Sequence, residues 1–204
     1  MEERSITKYY QMLDEKKIKE SEKRVNILIQ NGDIVIKEKD LFATFFLNNS
    51  KQSFDVAQLL YDVSTKSELK KITGFPDFNG FLWTINSSYY SMFYMVRSLL
   101  EKYGIKIKTE QSIHLLTFDL LLIYFYSTGK IEKQILEDYG EANNEISEIL
   151  GKEKAKSLVE DYSSEREKRG RFTYEMGEIA LQNKAKTSLD RARRFNEVLR
   201  KMIQ

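Results

Sequence analysis

Phe81-Leu82-Trp83-Thr84-Ile85-Asn86-Ser87-Ser88-Tyr89-Tyr90-Ser91-Met92-Phe93-Tyr94-Met95-Val96-Arg97-Ser98-Leu99-Leu100-Glu101-Lys102-Tyr103, closed by Gly104, decides the fold of this chain. Trp83, Tyr89, Tyr90, Phe93, Tyr94, Val96, Leu99 and Leu100 cover more than one face of a helix. A helix that is apolar on several sides must be packed on several sides, so this segment is expected to be the hub of a bundle.

The flanking segments read as further helices. On the N-terminal side, Thr73 to Gly80 gathers the only proline, Pro76, with two glycines, and is expected to be a turn. Before it, Leu41, Phe42, Phe45, Phe46, Phe54, Ala57, Leu60 and Val63 recur mainly at three- and four-residue intervals. That predicts a helix over about 39–65, with Asp40 as its cap. Residues 6–30 hold an imperfect helical pattern ending at Asn31-Gly32-Asp33, a C-cap signal. On the C-terminal side a helix is expected over about 109–126 and another from Ile131 through Leu150, with Gly151 as a point of division. Residues 152–169 are densely charged, 170–186 show no period, and a last helix is expected from Thr187, an N-cap with Asp190 three residues on.

The composition agrees. One proline and nine glycines are too few for an all-β fold, which needs a turn signal every ten residues or so. The fold class is therefore all-α, an up-and-down helical bundle. Residues 1–38 are an N-terminal helical extension packed on it and 39–204 the bundle domain. Lysine and arginine number 33 against 31 acidic residues, so no global basic field drives nucleic-acid binding and any such contact must be local. There is no cysteine, which excludes disulfides and thiolate chemistry. A single histidine, His114, cannot supply a histidine-clustered metal site, and no metal or cofactor is expected. The longest apolar run, Leu115 to Tyr126, is broken by Thr117 and Asp119 and is shorter than the roughly 20 residues that span a bilayer. It reads as a buried helix. With a charged Met-Glu-Glu-Arg-Ser start, the chain is expected to be cytoplasmic, without a membrane segment.

The segment Ser88 to Leu100, then Tyr103-Gly104-Ile105 and Lys108-Thr109, resembles the central helix and following turn of HEPN-domain proteins. The resemblance continues through Glu165-Arg166-Glu167-Lys168-Arg169-Gly170-Arg171-Phe172-Thr173-Tyr174 to the closing helix Ser188 to Ile203, and covers roughly residues 40–204. It implies a homodimeric helical bundle, in prokaryotes often paired with a minimal nucleotidyltransferase in a toxin-antitoxin or defence system. Many active members are metal-independent ribonucleases. Their Arg-x(4–6)-His motif uses the histidine to move a proton and the arginine to stabilise charge on the phosphate.

Arg166 stands where the motif arginine belongs, but Arg171, Phe172 and Thr173 occupy the positions expected for histidine. The proton-transfer half of the site is missing. Tyr174 corresponds to the tyrosine that often follows the motif histidine, yet a phenol, which ordinarily titrates near pH ~10, is a poor base. The resemblance thus implies RNA or nucleotide binding through Arg166, Lys168, Arg169 and Arg171, with Arg166 and Tyr174 the catalytic candidates of a degenerate ribonuclease. The alternative is a noncatalytic interaction module that binds a nucleotidyltransferase or another protein. Exposed charge runs of this kind are ordinarily solvated helix ends with local ion pairs. His114, among Ile113, Leu115 and Leu116, is ordinarily a satisfied boundary histidine, and the Trp83–Tyr94 aromatics core or dimer interface.

Overall fold

The computed structural model describes residues 15–36, 42–109, 111–160 and 170–203, with helix backbone alone for 149–160 and 170–180. Among the described residues seven α-helices follow one another: α1 (Glu15–Gln30), α2 (Ala43–Thr65), α3 (Ser67–Thr73), α4 (Phe81–Lys102), α5 (Ile113–Leu121), α6 (Lys133–Glu160) and α7 (Gly170–Ile203). Two short strands, β1 (Ile34–Ile36) and β2 (Ile105–Ile107), join the set. The chain is an all-α helical bundle.

α4 is its hub. Ile85, Tyr89, Met92, Met95, Val96, Leu99 and Leu100 are buried on it, along with Thr84, Ser88, Ser91 and Ser98. The small hydroxyl residues let neighbouring helices approach closely and bond across the gap. Ser98 Oγ donates to Ala43 O at 2.8 Å, Ser50 Oγ to Ser91 O at 2.8 Å, and Gly80 N to Ser64 Oγ at 2.8 Å. These pairings run α2 antiparallel to α4. Asn196 of α7 donates to Ser91 Oγ at 2.7 Å, so one serine ties three helices together. α4 stops where the sequence predicted: Gly104 takes a φ of 74°, which favours glycine.

Three features of the N-terminal half were not in the sequence reading, the short helix α3 after Lys66 being the first. α2 begins at Ala43, with Phe42 at its cap making no side-chain bond, and Asp40 lies outside the described residues. Ile34-Val35-Ile36 pairs antiparallel with Ile105-Lys106-Ile107, Ile34 opposite Ile107. Both tripeptides are β-branched at their ends and each follows a glycine turn, at Gly32 and Gly104, with φ of 79° and 74°. Through this ribbon and α1, Ile34 and Val25 enter the same core as α4.

The polar interruptions of the 115–126 run have local explanations. Thr117 Oγ1 returns to Ile113 O at 2.7 Å. Asp119, fully buried, accepts from Ser21 Oγ at 2.8 Å and from Arg24 Nε and Nη2 at 2.9 and 3.0 Å, which clamps α1 to α5. After Leu121 the helix widens into a π-turn, Leu122–Tyr126, with Ser127 N bonded to Leu122 O at 2.9 Å.

The C-terminal third corrects the expected boundaries. α6 runs through Gly151 unbroken, at a local cost of about 1 kcal/mol relative to alanine. α7 is described from Gly170 onward, and Thr187 lies inside it, its hydroxyl bonded back to Asn183 O at 3.0 Å, so it is no cap. Among the residues of this stretch whose side chains are described, Ala185 is buried and Leu181 packs on the core. Arg191, almost fully buried, bonds Glu141 and Glu145 of α6 at 2.8 and 2.9 Å, and Ser188 also reaches Glu145 at 2.9 Å. These contacts hold α6 antiparallel to α7.

Candidate functional site

α2 carries two different faces. Phe46, Leu47, Ser50, Phe54, Ala57 and Tyr61 point toward α4 and the core. On the opposite side Phe45, Asn49, Gln52, Val56 and Leu59 follow one another at alternating steps of four and three residues. Phe45, Val56 and Leu59 are exposed there. On α4, Trp83, Ser87, Tyr90 and Tyr94 repeat the alternation, with Trp83 61% exposed.

Asn49, Gln52 and Val56 of the first stripe and all four residues of the second border an open groove of about 500 Å³. Asn49, Gln52, Ser53 and Val56 form one wall, and Trp83, Asn86, Ser87, Tyr90 and Tyr94 the other. No charged side chain lines it. Asn86 Oδ1 is buried without a hydrogen-bond partner. Such a surface offers flat aromatic area and amide hydrogen bonding, the combination found at recognition surfaces with low ordering cost. The aromatic helix was read as core or dimer interface; Tyr89 and Phe93 are core, and Trp83 and Tyr90 face outward.

The single histidine lies beside Tyr90 of the groove, their ring centroids 6.0 Å apart. His114 Nδ1 and Tyr89 Oη sit 2.6 Å apart, with the Phe93 ring 4.7 Å from the imidazole. Burial pushes the His114 pKa below its ordinary 6.5. A neutral imidazole held by a tyrosine inside an aromatic nest is a packing residue, in keeping with the sequence reading. On the far end of α4, Arg97 lies over the Phe46 ring at 4.7 Å and Glu101 stands 3.7 Å from Lys106. Burial raises the Glu101 pKa against the pull of Lys106 and Arg97. These charges bind one another.

Of the residues singled out from the sequence, Arg166, Lys168 and Arg169 lie outside the described residues. Arg171 and Tyr174 fall in the first turns of α7, and their side chains also lie outside the described set. Glu137 and Asp138 serve structure: Glu137 pairs with Lys133 at 3.0 Å, and Asp138 stands 4.0 and 3.7 Å from Arg191 and Arg194. Among the described residues no group of three His, Asp or Glu is placed to hold a metal ion, and no helix is long and apolar enough to cross a membrane.

The groove was not read from the sequence, where Trp83, Tyr90 and Tyr94 were assigned to core or dimer interface and Val56 was not singled out. The signal was present. α2 has more large apolar residues than one face can hold, and Phe45, Val56 and Leu59 are the surplus. No protein-family model, curated protein or solved structure matches the chain.

Proposed function

We propose that this chain works by recognition rather than by making or breaking bonds: it is a HEPN-like, noncatalytic interaction module that acts in the cytoplasm and docks a protein helix on the α2–α4 face. The observation that carries this reading is the uncharged groove that exposes Trp83 and Tyr90 beside Asn49, Gln52 and Asn86. Apolar side chains left in water along a helix-length stripe gain free energy only when another surface covers them. Helix-in-groove recognition reads such stripes. The internal engagement of His114 supports the noncatalytic half, because the only imidazole of the chain is spent on Tyr89.

The test is a photoreactive phenylalanine at position 52 of the full chain, expressed in the source cells. Protein adducts after irradiation are expected. Their absence, together with RNA adducts from the same probe at position 171, would overturn the reading in favour of RNA binding.

The run Arg166, Lys168, Arg169 and Arg171 favours a second reading, RNA or nucleotide binding with residual ribonuclease activity. It requires that a single-stranded RNA pool be cleaved in the presence of chelator, and that Arg166→Ala abolish the cleavage without unfolding the protein.

A further inference from the structure

Away from the groove, α7 carries a row of cations at a spacing of seven residues: Lys186, Arg193 and Arg200, all exposed. We propose that this row is a docking surface for an acidic helix of a protein partner, one that presents carboxylates at the same spacing. It stands independently of the groove and of what the groove takes.

The row is built on α2. Lys186 Nζ lies over the Tyr61 ring at 5.8 Å and the Arg193 guanidinium over the Phe54 ring at 5.6 Å. A step of seven forward along α7 is thus matched by a step of seven back along α2, and one contact repeats between two antiparallel helices. A further step along α7 reaches Arg200. At the helical rise the cations stand about 10.5 Å apart along one line. Arg193 Nη2 also donates to Gln58 Oε1 at 2.8 Å. A guanidinium seated on a ring and tied to an amide has already lost much of its freedom, so an incoming carboxylate has less left to order.

The chain does not neutralise this side itself. Between Lys184 and Lys201 the outward side of α7 carries six exposed lysines and arginines against two carboxylates, Asp190 and Glu197. Asp190 is shared by Lys186 and Arg193, at 3.1 and 3.3 Å, and Arg194 is answered by Asp138 of α6 at 3.7 Å. The positive surplus that remains is larger than that of the whole chain, whose 33 basic residues face 31 acidic ones. Carbonyls at the helix end account for cations in the last turn. They do not account for Lys186 and Arg193, which lie turns away from it.

The rings decide which polyanion fits. Single-stranded nucleic acid is held by stacking its bases on aromatic faces between phosphate contacts. Here Phe54 and Tyr61 pack against the core on one side and are covered by Arg193 and Lys186 on the other, so neither offers a face to a base. What is left outward is charge at heptad spacing, the arrangement by which rows of charge along two helices select a partner and its orientation.

The test places a photoreactive phenylalanine at position 197, exposed between Arg193 and Arg200, in the full chain expressed in the source cells. The adducts are expected on protein, and the cross-linked segment, mapped by mass spectrometry, is expected to carry acidic residues seven apart. Synthesised as a peptide, that segment should bind the purified chain less tightly as salt is raised. Arg200→Glu leaves both ring contacts in place, and with its fold checked by circular dichroism it should weaken the peptide at least about tenfold. Exchanging the facing glutamate of the peptide for arginine should restore binding to Arg200→Glu. RNA adducts, no adduct, a mapped segment without acidic residues, or a peptide that ignores Arg200→Glu would each overturn the proposal. The probe at position 52 reads the groove separately, so the failure of one surface leaves the other standing.

Discussion

The two faces of α2 are built from similar residues and do opposite things. Ala57 is fully buried against α4, while its neighbour Val56 is 45% exposed. The inner face presents small residues, Ser50 and Ala57, between larger ones, and its hydroxyls bond the facing backbone. The outer face presents bulk to water with amides between. Apolar content alone therefore does not say where a helix is packed; the size pattern does. Close helix contact selects small residues, and an uncovered seam keeps large ones.

The sharpest way to break this comparison is to place the same charge on adjacent residues. Ala57→Asp would bury a carboxylate without a cation and is expected to cost more than about 4 kcal/mol, enough to unfold the chain in a urea titration. Should the variant unfold at the wild-type midpoint, α2 does not pack on α4 as described. Ser50→Leu tests the same face by volume. It removes the 2.8 Å bond to Ser91 O and forces a branched side chain into the buried α2–α4 contact. The expected loss is about 1–3 kcal/mol.

The inner and outer contrast recurs on α4, where Tyr89 is buried against His114 and Tyr90 looks into the groove. Burial lowers the His114 pKa in the folded state, so the unfolded chain binds the proton more readily. Stability contributed by the neutral imidazole is present above 6.5 and is lost as pH falls below it. Glu101 carries the opposite sign: its raised pKa favours the folded protein at low pH and loses that contribution as pH rises above 4.5. Comparing wild type with His114→Gln isolates the imidazole. The wild type should lose more stability between pH 7 and 5.5 than the variant, read as a shift in urea midpoint; parallel shifts would mean that His114 titrates freely.

How much of this was legible in the sequence depends on how each element announces itself. α4 could be read in full because large side chains recur on several faces and a glycine ends it. The β-ribbon could not, because three residues a side leave no period, and pairing Ile34 with Ile107 is a long-range choice. Around 187 the continuity of α7 was hidden by Ala185 and Ser188, buried residues too small to register as apolar. The clamp between Arg24 and Asp119 was invisible for the same reason of distance, since ninety-five residues separate its partners. As for the site, the aromatics of the groove stood in the sequence, yet periodicity does not distinguish a face covered by the same chain from one left for another.

The smallest effect expected is the most telling for that last distinction. Val56→Ser trims the outer seam, and substitutions of exposed residues away from caps and networks ordinarily change stability by less than about 0.5 kcal/mol. In dilute solution the variant should therefore unfold with the wild type. At high concentration the two should part, because association that requires the folded state raises the unfolding temperature by mass action and the variant has lost part of that association. Thermal unfolding over a hundredfold range of concentration measures both at once. A wild-type midpoint that climbs with concentration and a Val56→Ser midpoint that climbs less would assign the outer face of α2 to assembly. Equal slopes with a lowered variant midpoint throughout would make Val56 part of the core, and the two faces of α2 would not differ in kind.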